Sequence, residues 1–292
     1  MESSISTIAV LGAGTMGRGI AHVAAAAGYA THLFDTDAGA LQKAESAMHR
    51  NLAKGVELGK VDAAVAERAR RGLHLDTDLA AAVRDADLVI EAIPEEMRLK
   101  IETFQAVARA APATALFASN TSALSITEMA AGSGRPARFA GMHFFNPVHL
   151  MRLIELVRGL DTADETVAAM RAVAARMGKE TVLVNEAPGF VTSRINVLIG
   201  NEAFRMLQEG VASAEDIDKA LKLGLNHPMG PFEMADLVGL DVRLAILEFL
   251  HKTLGEAYRP NQILVQHVRA GRLGRKTGRG VYTYDAEGKR VV

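Results

Sequence analysis

Cysteine and tryptophan are absent from this chain of 292 residues. Without cysteine there can be no disulfide, no thiolate metal site and no thiol nucleophile. An excess of charge is missing too: 33 Lys and Arg stand against 34 Asp and Glu, a formal net charge of −1 that offers nucleic acid no broad attraction. Long apolar runs are lacking as well. The most apolar helical stretch, Ile20 to Ala30, contains His22 and is far too short to span a bilayer. Met1-Glu2-Ser3-Ser4 has no basic region, and Ile8 to Leu11 is too short for a signal core. These absences predict a soluble, cytoplasmic protein with neither nucleic acid nor membrane as partner, and no metal site. The length suffices for a large core and for two domains.

What is present begins at Ile8-Ala9-Val10-Leu11, an apolar β-type run leading into Gly12-Ala13-Gly14-Thr15-Met16-Gly17 and then an alanine-rich helical stretch. Strand, Gly-x-Gly-x-x-Gly and helix in that order form a dinucleotide fingerprint. Gly12 permits the tight turn, Gly14 lets the backbone approach a pyrophosphate, and Gly17 lets the helix pack on its strand. Thr15 and Met16 belong to the same cradle, where a helix N-terminus offers free N–H groups and a positive dipole end. Asp35 closes the next apolar run, Thr31-His32-Leu33-Phe34, where a carboxylate accepts from the adenosine ribose hydroxyls. That carboxylate repels a 2′-phosphate, and Thr36 and Asp37 supply no arginine to hold one, so NAD is expected rather than NADP. The glycines alone would also suit a turn in another α/β protein.

Strands are expected near Thr7–Leu11, Ala30–Asp35, Asp87–Ala92, Ala115–Ser119, Arg138–Phe144, Leu153–Val157 and Thr181–Asn185, alternating with helical patterns. The predicted class is α/β, a Rossmann-type doubly wound, mainly parallel sheet over residues 1–187. A charged helical hairpin, about Ala38 to Arg71, is expected as an insertion standing away from the sheet. From Pro188 the sequence reads as helices, Val191–Gln208, Ala214–Lys222, Leu240–Leu254 and Asn261–Arg269, punctuated by Gly210, by the turn Asn226-His227-Pro228-Met229-Gly230-Pro231 and by Pro260. Residues 188–292 are therefore expected to form an all-α second domain. Ser213 with Asp216 three residues on reads as a cap.

Two polar residues interrupt apolar strands. His143 ends one, just before Asn146-Pro147, and Glu155 stands inside the next. A carboxylate in an apolar setting needs a partner, and adjacent strands joined through Pro147–Met151 could make it an imidazole. The carboxylate would fix the tautomer and favour the protonated ring, fitting His143 to take a proton from an alcohol as hydride leaves its carbon. Each residue alone also fits a satisfied core histidine or an edge-strand carboxylate. Ser122 and Asn120 read equally as turn-formers and helix caps. Of the other histidines, His22 is expected to pack behind the glycines and His149 is a rival base placed in the connection. The basic run Arg272, Arg275, Lys276 and Arg279 is expected to be structural and solvated.

Along nearly its whole length the chain resembles the L-3-hydroxyacyl-CoA dehydrogenases, in particular the short bacterial 3-hydroxybutyryl-CoA type. The resemblance rests on the glycine motif, Glu91-Ala92-Ile93-Pro94-Glu95, Ser119-Asn120-Thr121-Ser122, Gly141-Met142-His143-Phe144-Phe145-Asn146-Pro147, Pro188-Gly189-Phe190, Asn226 to Pro231, and Gly274-Arg275-Lys276-Thr277-Gly278-Arg279-Gly280. It implies that His143 is the catalytic histidine and Glu155 its carboxylate partner, that Ser122 hydrogen-bonds the substrate's 3-oxygen, and that Asn146 is the active-site asparagine. It implies that Glu95, Lys100 and Asn120 lie along the nicotinamide end of NAD, with Ser122, His143 and Asn146 beside it. The reaction implied is reversible oxidation of an (S)-3-hydroxyacyl-CoA to the 3-ketoacyl-CoA, in a homodimer paired through the helical domain. Lys54 and Lys60 are candidate partners for the phosphates of CoA, or ordinary charges on a helix face.

One position departs from the commoner pattern: Ser193 stands where many relatives carry Asn before Arg-Ile, so any amide contact to substrate is lost or water-mediated. Two other readings use the same fold. Non-CoA 3-hydroxyacid dehydrogenases place a catalytic lysine on the second domain's first helix, and Val191–Gln208 has none. An NAD-binding structural or sensor protein would lack turnover altogether.

Overall fold

Strand β1 (Thr7–Leu11) has Ile8 to Leu11 fully buried, as a strand covered on both faces requires. Helix α1 (Thr15–Ala26) returns over the sheet to β2 (Ala30–Phe34), and α2 (Ala38–Glu57) and α3 (Ala63–Arg71) follow as a hairpin. Then come β3 (Leu73–Asp76), the short α4 (Leu79–Val83), β4 (Leu88–Glu91), α5 (Met97–Ala110), β5 (Leu116–Ser119) and α6 (Ile126–Gly132). Strands β6 (Phe139–Phe144) and β7 (Leu153–Arg158), helix α7 (Asp164–Arg176) and β8 (Glu180–Asn185) complete one sheet of order β3-β2-β1-β4-β5-β6-β7-β8. All neighbours are parallel except β6 and β7. The computed structural model describes residues 5–291 and divides into two compact units, 1–187 and 188–292.

Two features of the first unit differ from expectation. Strand β3 extends the sheet beyond β2, with His74 stacked on His32 at 4.9 Å. Its apolar–polar alternation, Leu73-His74-Leu75-Asp76, spans only four residues and is too short to be seen beforehand. The hairpin does not stand free. Leu41, Ala44 and Met48 of α2 join the main core, and Leu52 with Ala66 and Ala69 packs on Ala25 of α1. The charges Lys43, Arg50, Lys54 and Lys60 do lie on the solvent side.

The second unit consists of α8 (Thr192–Gln208), α9 (Ala214–Gly224), α10 (Pro231–Val238), α11 (Leu240–Leu254) and α12 (Gln262–Arg269), closed by a ribbon of β9 (Thr283–Tyr284) and β10 (Arg290–Val291). That ribbon qualifies the all-α expectation, and α10, which starts at the end of the Asn226–Pro231 turn, is a helix beyond the four ranges expected. Ser213 caps α9, accepting from the Asp216 amide at 3.1 Å. Buried Asp218 accepts from the amides of Phe232 and Glu233 at the start of α10 and from the Tyr282 hydroxyl. Asp236 accepts from the Val281 and Tyr282 amides and the Tyr284 hydroxyl. The basic segment is tied in through Lys276, paired with Asp241 at 2.6 Å, and Arg275, over the Tyr284 ring. Among the described residues no helix is long and apolar enough to cross a membrane.

Candidate active site

The carboxyl ends of β1, β2 and β4 open onto a cavity of about 920 Å³, lined by Gly12, Gly14, Thr15, Met16 and Asp35 and walled by apolar residues such as Leu79 and Ile93. The three glycines act differently. A Cβ on Gly17 would sit 1.7 Å from the Gly12 carbonyl oxygen, and one on Gly12 would meet the Ala92 oxygen at 2.7 Å, with φ at +99°. A Cβ on Gly14 would meet nothing within 4 Å, so its side is kept open for a ligand. Gly14 is also the N-cap of α1 and offers no side chain to the first-turn N–H groups, which stay available to an anion. Asp35 accepts from the Ala13 amide at 2.7 Å and from the Asp37 amide at 3.0 Å. Among the described residues no lysine or arginine lines the cavity. The donors, the acid and the absence of a cation on the lining fit NAD.

His143 and Glu155 are directly opposed across the antiparallel pair β6–β7. Nδ1 of His143 lies 2.7 Å from a Glu155 carboxylate oxygen, with both residues buried. The reversal of β7 creates this pairing, because directly opposed residues in an antiparallel ladder share a face. A carboxylate at Nδ1 leaves Nε2 as the ring nitrogen that faces away from it. His149, the rival base, lies 5.7 Å from the ring of His22.

Around them the loop after β5 is tightly organised. The Asn120 side-chain oxygen accepts from the Phe144 amide at 2.9 Å, tying the end of β5 to that of β6. The Thr121 hydroxyl donates to Glu95 and accepts from the Ala123 and Leu124 amides. Ser125, not Ser122, caps α6. The Ser122 amide donates to Glu95 at 3.1 Å, while its hydroxyl has no partner among the described residues. Asn146 is exposed, at the cis bond to Pro147.

Lys100 is 1% exposed, and its ammonium meets Glu91 at 2.5 Å, Glu95 at 3.1 Å and the Ile93 carbonyl at 3.3 Å. Its three donors are all engaged within the protein. Glu91, which sequence reasoning passed over, is fully buried and also accepts from the Ser119 hydroxyl and the Ile93 amide. Burial pushes its carboxyl above the usual range, against the opposing charge and hydrogen bond of Lys100. The signal was available: an acid closing an all-apolar strand, the same signal that singled out Glu155. Lys54 pairs with Glu57 on the exposed hairpin face, and neither Lys54 nor Lys60 lines the dinucleotide cavity.

Sequence comparison matches residues 7–187 to the 3-hydroxyacyl-CoA dehydrogenase NAD binding domain and residues 189–284 to the 3-hydroxyacyl-CoA dehydrogenase C-terminal domain. These matches cover nearly the whole chain, and the chain belongs to the 3-hydroxyacyl-CoA dehydrogenase family. It is 45% identical over 282 residues to a probable 3-hydroxybutyryl-CoA dehydrogenase of Bacillus subtilis, covering 96% of this chain and 98% of that one. It is 44% identical to a 3-hydroxybutyryl-CoA dehydrogenase of Bradyrhizobium diazoefficiens, covering 97% of each. The crystal structure of (S)-3-hydroxybutyryl-CoA dehydrogenase from Ralstonia eutropha superposes with a TM-score of 0.92 at 42% identity, covering 97% of this chain and all of that one.

Proposed function

We propose that this chain catalyses the reversible NAD-dependent oxidation of a short-chain (S)-3-hydroxyacyl-CoA, such as 3-hydroxybutanoyl-CoA, to the 3-ketoacyl-CoA. The observation that carries the chemistry is the His143–Glu155 pair at 2.7 Å, on strands of the same sheet whose β1, β2 and β4 hold the dinucleotide cavity at their carboxyl ends. Bound NAD supplies the hydride acceptor. Nε2 of His143 takes the proton of the 3-hydroxyl as the C3–H bond breaks, and Glu155 stabilises the resulting imidazolium through Nδ1. The Ser122 hydroxyl donates to the 3-oxygen, which carries more negative charge in the transition state than in the ketone. The side chain of Asn146 supplies a further polar contact there. Glu95, Lys100 and Asn120 hold the loop that carries Ser122 beside the nicotinamide end of the cofactor. In the reverse direction the imidazolium returns its proton as hydride arrives at C3.

The thioester's nucleotide end carries phosphates, toward which the exposed Lys54 and Lys60 present charge. The helical unit pairs two copies into a homodimer, and the chain works in the cytoplasm. The deciding experiment follows NADH consumption on adding acetoacetyl-CoA, with NADPH and free acetoacetate in parallel. Turnover is expected only with NADH and the CoA thioester. NADH binding without turnover on short or long ketoacyl-CoA would sink the reading in favour of a protein that only binds the dinucleotide.

A further inference from the structure

A second, smaller cavity of about 80 Å³ lies between the first two turns of α1, α2 and the segment that follows β6. Arg18, His22, Asn51, Asn146 and His149 contribute to its wall, and among the described residues no acidic one does. A single water needs roughly 10–15 Å³ of such space, so there is room for a tetrahedral oxyanion. Three features of the site go unused by the reaction described above. Arg18 is half-buried and forms no ion pair with any described residue. His22 is 8% exposed, and its Nδ1 has no hydrogen-bond partner among the described residues. Lys179 is held beneath the segment after β6, donating to the carbonyls of Val148 and Met151, and adds its charge to both imidazoles.

A buried polar atom left without a partner costs about 1–3 kcal/mol. A guanidinium beside it, with no ion-pair partner and no carboxylate on the wall among the described residues, gives the cavity one sign of potential. The segment is seated there deliberately: Gly19 lacks a Cβ where one would lie 2.7 Å from Val148, and buried Val148 brings His149 over His22. Burial, then the charges of His149 and Lys179, holds His22 down at about 4. The ring is therefore neutral at neutral pH, and an arriving oxyanion meets a hydrogen-bonding imidazole backed by two cations.

We propose that the cavity walled by Arg18, His22, Asn51 and His149 is a phosphoryl-oxyanion seat that takes a phosphate of the CoA moiety. It rests on the acyl-CoA reading for its ligand, though not for its chemistry, since free phosphate presents the same group. Arg18 supplies the charge-assisted hydrogen bonds, and the imidazoles and the Asn51 amide complete the shell. Because Asn146 lines the same cavity, a phosphate seated there also fixes the active-site end of that segment.

The test has two arms, each on the intact chain with Arg18→Gln and His149→Gln, whose thermal melts are first matched to wild type. In calorimetry, inorganic phosphate is expected to bind wild type and to weaken about tenfold or more in Arg18→Gln. In steady-state kinetics, Arg18→Gln is expected to raise KM for acetoacetyl-CoA about tenfold with kcat kept. The N-acetylcysteamine thioester of acetoacetate, which has no phosphate, should be turned over with unchanged kcat/KM. Arg18-dependent phosphate binding with an unmoved KM for acetoacetyl-CoA would keep the oxyanion seat and overturn the CoA assignment. Equal losses on both thioesters would make Arg18 a support of the reacting centre and overturn the proposal, as would no change in either arm. Should wild type turn over neither thioester, the acyl-CoA reading fails, and the phosphate titration still decides the seat.

Discussion

At the scale of single residues, the proposed proton transfer rests on His143. Its replacement by alanine should lower kcat by roughly 10²–10⁴-fold while NADH still binds, as measured by the quenching or enhancement of nicotinamide fluorescence. Equal loss of NADH affinity would mean that the residue supports the fold. His22 gives a pH prediction in phosphate-free buffer. Its folded pKa, about 4, lies below the unfolded value of 6.5. The unfolded chain therefore binds the extra proton first, and the associated stability is complete above pH 6.5 and lost as pH falls toward 4. The loss amounts to roughly 3 kcal/mol by linkage. Urea unfolding from pH 7 to pH 4 should show it, and His22→Gln should flatten that part of the curve. A wild-type curve already flat over the interval would contradict the buried, neutral ring.

At the scale of elements, the turn from β1 into α1 separates folding from binding. Gly14→Ala has room for its methyl and should keep wild-type stability while weakening NADH, because the methyl occupies the cofactor's side. Gly17→Ala forces carbon against the Gly12 carbonyl at 1.7 Å and should fail in thermal melts before any binding is measured. Lys100→Met is a third probe. It leaves Glu91 buried without its cation, and denaturant unfolding should show a loss of roughly 3–5 kcal/mol. These elements also show what could be read beforehand. The glycine turn, Asp35 and most strands were legible because strong periodicity and fixed spacing encode them locally. Strand β3 was not, since four residues set beside β2 owe their pairing to the edge they extend. The docked hairpin was hidden by its charges: one face of α2 is charged, and the small residues Ala44, Ala66 and Ala69 that seat the pair give little apolar signal. Ser122 could be named by resemblance, but its free hydroxyl depends on Ser125 taking the cap, which spacing alone leaves open.

At the scale of the whole molecule, the proposed homodimer predicts a light-scattering mass near 62 kDa, twice the 31.1 kDa chain. A concentration-independent monomer would remove that part of the reading. Exposed apolar side chains on the second unit, among them Ile195, Leu223 and Leu225, are the surface such pairing would have to cover. Where the chain divides into its two units lay within reach of the sequence, because the change from strand to helix patterning at Pro188 is abrupt. The cavity beside Arg18 lay beyond it. His22 and His149 are far apart in the chain, and only the seating of Val148 against Gly19 brings their rings together.

Asp35 carries a consequence for how freely this chain could change its currency of reducing equivalents. The carboxylate expected to discriminate against a phosphorylated ribose also accepts from the amides of Ala13 and Asp37, so it braces the turn it would select with. Exchanging it for arginine or alanine would relax the discrimination and unfasten the turn in one step, leaving a variant poorer with either dinucleotide. Drift toward NADP thus runs through a valley. An asparagine, which sheds the charge yet keeps an oxygen for Ala13, is the narrow crossing that directed evolution should be expected to take first.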